Sequence, residues 1–327
     1  MPPEWAHHAG CLMAWPSRTD LWRDRLDDAK RDYAAVASAI ADCEPVVMVC
    51  SPGFADEVRR RCSAEVTPLE IPINDSWARD SGPALVRSQA GEIAVVGFGF
   101  NAWGGRWYPH DDDAALSGRL ADHLGLRFFK APFVLEGGSF FVDGEGTLLT
   151  TEQCLLNANR NPTMSRVQIE QGLKDYLGAT TVVWLPFGHS TDTGPAGTDG
   201  HVDGVAQYVG PGRVMLEVVS DPDSREFDRG QQNLARLQAA HDATGRSFGI
   251  SILDPGATAT VSYANHYLAN GAVIVPVSGG DADRGALDTL VRLYPDRAVV
   301  PVPGATLAFG GGGPHCITQQ IPDGVVL

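Results

Sequence analysis

Phe309-Gly310-Gly311-Gly312-Gly313-Pro314-His315-Cys316-Ile317-Thr318-Gln319-Gln320 runs four glycines into a cysteine, with polar groups behind it. Glycines let a backbone approach a ligand closely and take φ values that other residues avoid. The strip is therefore expected to be flexible and free of side chains, with Cys316 presented at its end. No Lys-Ser/Thr pair follows, so this is not a phosphate loop. Taken alone, such a cysteine reads as a buried thiol beside a surface turn. The chain upstream changes that reading, because a comparable polar turn recurs along it.

Working outward, each turn closes a similar unit. A helix, a strand, a polar turn and one or two strands joined by a Gly-bearing turn follow one another. The first turn is Asn74–Pro83, after a strand at Val66–Ile73 and before strands Ala84–Arg87 and Ile93–Phe100. The second is Glu136-Gly137-Gly138-Ser139, after helix Asp112–Leu124 and strand Phe128–Leu135, with a hairpin turning at Asp143–Gly146. The third ends at Thr198–Gly204, after helix Ser165–Leu177 and strand Thr181–Leu185. The fourth is Tyr263–Tyr267, after helix Phe227–Ala243 and strand Ser247–Leu253. The fifth is the glycine run, after helix Ala282–Leu293 and strand Ala298–Val302. Asp80, Glu136, His201, Asn265 and Cys316 mark these turns at intervals of about sixty residues. A unit of this size cannot bury its own sheet face. Radial repetition closes such units into a ring and protects their edges. The expectation is one α/β propeller domain over residues 1–327, with the five turns converging on the central axis. Before the first unit, a helix is expected from about Asp20 to Asp42, with Leu26, Ala29, Tyr33, Val36 and Ile40 on one stripe. Residues 1–19 show no clear period.

Composition sets limits. A hydrophobic content of 43% is ample for a core, and the formal net charge of −15 argues against nucleic acid or an anionic membrane as partner. It is compatible with a cationic substrate. The six cysteines form no Cys-x-x-Cys pair, which disfavours a zinc knuckle or a thioredoxin-like motif. The start, Met1-Pro2-Pro3-Glu4-Trp5, lacks the basic flank and apolar core of a signal peptide. No apolar run approaches membrane-spanning length. The sequence reads as cytoplasmic with reduced thiols.

The converging turns would offer a thiol (Cys316), an imidazole (His201) and three carboxylates (Asp80, Glu136, Asp203). Cysteine with histidine is the pattern of a thiolate nucleophile beside a base, with a third group to orient it. His201 can act as acid and base in turn, and Glu136 is the candidate orienter. Acyl transfer does not need the two remaining carboxylates, whereas a guanidinium does: its planar fork pairs bidentately with carboxylates. Held so, its central carbon lies at a fixed place beneath the sulfur, and its charge lowers the thiol's pKa. Each group also has a plain structural reading. Turn aspartates usually cap, a lone histidine is usually hydrogen-bonded structure, and Trp77 and Trp103 read more often as core than as platforms. The register of the polar positions with the repeat is what weighs against those readings. A metal reading is the rival. Asp199-Gly200-His201-Val202-Asp203 puts Asp, His and Asp at alternate positions, which on a strand share a face and suit manganese. No second cluster of that type accompanies it. Asp111-Asp112-Asp113 reads as a helix start.

At these residues the sequence resembles the agmatine deiminase and bacterial peptidyl-arginine deiminase family, within the wider guanidine-modifying (pentein) superfamily. The matching stretches are Met1–Trp5, Met13–Pro16, Asn74–Pro83, Asn101–Gly105, Leu135–Ser139, Gly144–Cys154 with Asn157 to Pro162, Asp199–Asp203 and His315–Gln320. They span nearly the whole chain. The resemblance implies a five-bladed α/β propeller and conversion of a guanidine to a urea and ammonia, with no metal or organic cofactor. It implies that Cys316 is the nucleophile that forms a covalent amidino-thioether, His201 the proton shuttle and Glu136 the carboxylate holding it. Asp80 and Asp203 are the implied guanidinium clamp, with Trp77 and Gly313 completing the expected substrate-binding set. Several positions depart from the family pattern. Gly197 stands where an acidic residue usually faces the substrate's distal amine, in a Phe187–Gly200 loop a few residues longer than usual, where Asp192 is the candidate substitute. Gly313-Pro314 ends the glycine run in place of Asn, Gly204 follows Asp203 in place of Asn, and Ala9 follows His8 in place of Glu. These changes touch the rim and bear on the substrate more than on the chemistry.

The expected protein is thus a metal-independent guanidine iminohydrolase acting on a small cationic guanidine, most naturally agmatine, and possible as a homo-oligomer. The same chemistry on an arginine derivative, a peptidyl arginine or a pathway intermediate is the nearest alternative, followed by amidinotransfer. A manganese ureohydrolase and a silent guanidinium-binding module are the distant ones.

Overall fold

The computed structural model describes residues 1–327. Its strands form five separate sheets. Four repeat one design. In Ala84–Arg87, Ile93–Gly99 and Arg127–Val134, the first two strands are an antiparallel hairpin and the third lies parallel to the second. The same order recurs in Phe140–Val142, Thr147–Thr151 and Thr181–Leu185, in Ala206–Gly210, Arg213–Glu217 and Gly249–Leu253, and in Tyr267–Ala269, Ala272–Val277 and Ala298–Pro303. A parallel pair needs a crossover, and a helix supplies it each time: Asp111–Leu124, Arg166–Leu177, Phe227–Ala239 and Ala282–Leu293.

The remaining sheet joins both ends of the chain. Thr318–Pro322 pairs antiparallel with His8–Ala14, which runs parallel to Val46–Cys50 across helix Leu26–Ala41, and Val66–Glu70 extends the sheet. The first nineteen residues are therefore not an irregular arm. Six of the seven positions in His8–Ala14 are buried, so both strand faces are covered and no alternation marks it. The expected Asp20–Asp42 helix is also broken. Arg23 takes a positive φ of 53°, separating the turn Thr19–Trp22 from the helix that starts at Leu26. The break seats Trp22 edge-on to Tyr33 and stacked on Trp77, at 6.1 and 5.9 Å between ring centroids.

Packing shows that the ring closes. Each of five hydrophobic clusters joins two neighbouring blades, for example Phe141 and Leu149 with Tyr208 and Leu216, or Met13 and Met48 with Tyr267 and Ile274. Adjacent residues of one strand feed different clusters: Leu148 faces one neighbour and Leu149 the other. The protein is a five-bladed α/β propeller. No helix is long and apolar enough to cross a membrane.

Candidate active site

The turn after the last strand of each blade reaches the axis. These are the helical turns Ala78–Ser81, Gly137–Ser139, Val202–Gly204 and Tyr263–Asn265, and the turn carrying Cys316. They bond to one another across the ring. Arg79 N donates to Cys316 O at 3.1 Å, His315 N to Asn265 O at 3.1 Å, and Gly138 N to Asp80 Oδ1 at 2.9 Å. Close approach explains Gly138: a Cβ there would lie 2.7 Å from both Asp203 Oδ2 and His201 Nδ1, and 3.0 Å from Asp80 Oδ1. Three of the expected side chains thus crowd one backbone point.

The glycine run is packed, not loose. Gly310 ends the short helix Ala305–Gly310 against the Trp22 ring, and Gly311 turns the chain with a φ of 104°. A Cβ on Gly312 would stand 2.6 Å from the Trp77 ring and 2.9 Å from Cys316 Sγ, and one on Gly313 2.7 Å from Asn265 Oδ1. Trp77 is a buried wall behind this strip. Cys316 Sγ accepts from Asn265 Nδ2 at 3.1 Å and lies 3.4 Å from Asp203 Oδ2. Burial raises its thiol pKa well above the ordinary value, and the charges of Asp203 and Asp80 push the same way. The resting sulfur is therefore protonated.

Asp203 is held from behind. His315 Nδ1 sits 2.9 Å from Asp203 Oδ2, and its Nε2 is 3.0 Å from Glu4 Oε1. Arg79 Nη1 donates to the same Glu4 at 2.9 Å and to Gln320 at 2.8 Å. Burial works against the His315 cation, as does Arg79, but Glu4 and Asp203 outweigh them and raise its pKa. Burial would raise Asp203, yet the His315 bond and charge bring its pKa down. The surroundings of Asp203 favour the anion, and its partner His315 is already bonded to it.

His201 differs. Its Nδ1 lies 3.8 Å from Asp80 Oδ1 and its Nε2 3.7 Å from Glu136 Oε2, so neither ring nitrogen is hydrogen-bonded although the residue is buried. Burial lowers its pKa, but the Asp80 charge reverses this, and the net direction is well up. Asp80 accepts from Trp103 Nε1 at 2.8 Å. Ala102 and Trp103 both hold positive φ, 52° and 54°, which costs about 1–3 kcal/mol per residue outside glycine. The strained turn aims the indole at the carboxylate. Burial pushes the Asp80 pKa up, against the pull of His201. Glu136 takes a 2.6 Å bond from Arg160 Nε, and that guanidinium overcomes burial to keep it low.

Cys316 and Asp203 line an open cavity with Asn265, Gly204, Phe309 and the loop at Thr191–Thr198. Asp80, His201 and Glu136 are not part of its wall, but Asp80 and His201 meet the wall residue Asp203 at Gly138. Asp192 borders this cavity, but its carboxylate accepts from Thr198 N, Gly200 N and Thr198 Oγ1 at 2.8, 2.9 and 2.5 Å. It holds the His201 turn together. Gly197 cannot carry a side chain, since a Cβ would meet Asp192 O at 2.3 Å. The manganese reading fails on geometry: Asp199–Asp203 is no strand, and Asp199 turns away to Arg106, Arg160 and Asn159 at 2.5, 2.8 and 2.8 Å.

The structure thus gathers Asp80, Glu136, His201, Asp203 and Cys316 around the axis, with Trp77 and Gly313 behind the sulfur. Sequence reasoning missed the supports: Glu4, Arg79, Trp103, Cys154, Arg160 and His315 as partners of the cluster. Their signal was present in the resembling stretches, which contain all six.

Comparisons with known proteins agree with this architecture. A model of the Porphyromonas-type peptidyl-arginine deiminase family matches residues 1–322. An agmatine deiminase of Pseudomonas aeruginosa strain UCBPP-PA14 is 39% identical over 353 residues, covering 98% of this chain and 95% of its own. Among solved structures, an agmatine deiminase of Enterococcus faecalis superposes with a TM-score of 0.92 at 36% identity, over 98% of this chain and 95% of that one. One of C. jejuni, with substrate bound, gives a TM-score of 0.89 at 25% identity, over 99% and 96%. The chain belongs to the Porphyromonas-type peptidyl-arginine deiminase family.

Proposed function

We propose that the protein is a guanidine iminohydrolase that converts agmatine and water to N-carbamoylputrescine and ammonia. The observation that carries this is the convergence on Gly138: two carboxylates and an imidazole meet there, and one of those carboxylates is 3.4 Å from a thiol that opens to a cavity. Asp80 and Asp203 take the guanidinium, which sits between them in place of their mutual repulsion. The arriving cation reverses the charge effect that kept Cys316 protonated, so the thiol loses its proton to bulk water on binding. The thiolate then attacks the central carbon. As the C–N bond breaks, imidazolium His201 gives its proton to departing ammonia, leaving a cationic amidino-thioether. Neutral His201 next removes a proton from water, whose oxygen attacks the same carbon. The C–S bond breaks as the new hydroxyl's proton passes to sulfur, the urea leaves, and His201 keeps the proton it took from water. Glu136, fixed by Arg160, keeps the imidazolium close by charge. The cavity wall contains carboxylates and no Arg or Lys, which favours an amine over a carboxylate at the far end of the substrate. The test is Cys316→Ala: ammonia release from agmatine should vanish while the circular dichroism spectrum and melting temperature are kept. Retained turnover would refute the assignment.

A further inference from the structure

Glu136, Cys154 and His201 form a cluster that the proposed chemistry uses only in part. One donor atom from each, a carboxylate oxygen, Sγ and a ring nitrogen, lies within 4.8 Å of the others. All three residues are buried, and Glu136 Oε2 and both His201 nitrogens have no hydrogen-bond partner. Buried polar atoms are rarely left so. Neighbouring groups fix the orientation of each donor. Glu136 Oε1 is pinned by Arg160 Nε at 2.6 Å, leaving Oε2 free. His201 Nδ1 faces Asp80, as the outer nitrogen of a metal-bound histidine faces a carboxylate. Cys154 lies in the turn Glu152–Leu155, whose cap Thr151 receives Cys154 N at 3.2 Å and donates its Oγ1 to Gly200 O at 2.6 Å, tying sulfur and imidazole to one frame.

We propose that Cys154 Sγ, His201 Nε2 and Glu136 Oε2 form an inhibitory site for a zinc ion. Sulfur, nitrogen and oxygen donors in a three-ligand set with an open fourth position suit Zn²⁺, whereas a thiolate disfavours Mg²⁺ or Ca²⁺. Binding expels two protons, one from the imidazolium and one from the Cys154 thiol, so affinity rises with pH. The ion takes the Nε2 lone pair and leaves a neutral ring whose one proton is fixed on Nδ1, the nitrogen beside Asp80 and Asp203, so His201 can no longer accept a proton from water and deimination stops. That blockage rests on the function proposed above; the binding itself does not.

The experiment measures binding apart from turnover. Full-length Cys316→Ala, which lacks the competing thiol, is pre-incubated with Zn²⁺ and dialysed, and separately titrated with Co²⁺. One ion per chain and a thiolate-to-cobalt absorption band are expected. Adding Cys154→Ser should remove the band and weaken Zn²⁺ by at least about tenfold, and adding Glu136→Gln, which touches no thiol, should weaken it as well. In the otherwise unaltered protein, Zn²⁺ should halt ammonia release and a chelator restore it. Cys154→Ser, measured against its own metal-free rate, should resist about ten times more metal. Stoichiometric Zn²⁺ that disappears in Cys316→Ala but survives Cys154→Ser would place the ion on the other thiol and overturn the proposal, as would indifference to Glu136→Gln. An intact cobalt band without any turnover of agmatine would instead count against the proposed substrate alone.

Discussion

Two histidines stand in the centre of this ring, both buried and both flanked by two carboxylates, yet they are held differently. His315 has one carboxylate at 2.9 Å and the other at 3.0 Å. His201 has its two at 3.8 and 3.7 Å and bonds to neither. Less than an ångström separates a closed hydrogen-bonded pair from an open electrostatic one. His315 is saturated, so it can hold Asp203 but cannot exchange a proton with anything else. The surroundings of His201 favour its charged form and both nitrogens are free, which is what the proposed acid and then base requires. Identical residue types with near-identical neighbours are thus divided into a bonded and an unbonded form by spacing alone.

The comparison breaks if the two histidines prove interchangeable. The largest effect should come from His201→Gln, expected to lower kcat/KM for agmatine by about 10²–10⁴-fold with little change in melting temperature. Next come Asp80→Asn and Asp203→Asn. Each removes one side of the guanidinium clamp, worth about 2–5 kcal/mol of substrate capture. Steady-state kinetics should show the loss mainly in KM, and a change well under tenfold would count against a clamp. His315→Gln should move stability more than chemistry. It leaves Glu4 and Asp203 short of a buried partner, at about 1–3 kcal/mol per unpaired acceptor. Thermal melts should fall, with kcat for bound substrate largely kept. A collapse of kcat with unchanged melting would reverse the assignment of roles.

The smallest effect sharpens the same contrast at Glu217, which is bonded to the Tyr263–Asn265 turn. Burial raises its pKa to about 8, against bonds from Ala264 N at 2.6 Å and Ser262 Oγ at 3.2 Å. The folded protein therefore keeps a proton that the unfolded chain releases near 4.5. The stability this gives is whole below the unfolded value and is lost as pH rises through about 8. Glu217→Gln has no proton to lose. Its melting temperature should gain on the unaltered protein as pH rises from 6 to 9, and parallel curves would contradict the shift.

How much of this was legible in advance depends on the kind of contact. The strands Ala84–Arg87, Thr147–Thr151, Thr181–Leu185 and Ala272–Val277 lie where composition and turn residues place them. His8–Ala14 escaped, because a strand covered on both faces carries no period and its partner is some three hundred residues away at Thr318–Pro322. Asp80, Glu136, His201 and Cys316 were visible by their register with the turns. Arg160 and Trp103 were not, since each acts across blades on a carboxylate of another turn. The glycine run was misjudged as flexible. Composition shows missing side chains, but only the neighbours Trp22, Trp77 and Asn265 show what fills the space.

What the amino-acid order determined by itself was the repeat: the helix and strand of each blade, the polar turn after it, and the reactive group at that turn. Those follow from short-range periodicity and turn chemistry, which neighbouring residues carry. The tertiary structure decided which of these groups are bonded to one another and which are left unbonded. That arrangement depends on differences of less than an ångström in the distances between turns about sixty residues apart, and on the burial that makes a bonded or an unbonded charge matter. Neither quantity is written in any local stretch of the chain.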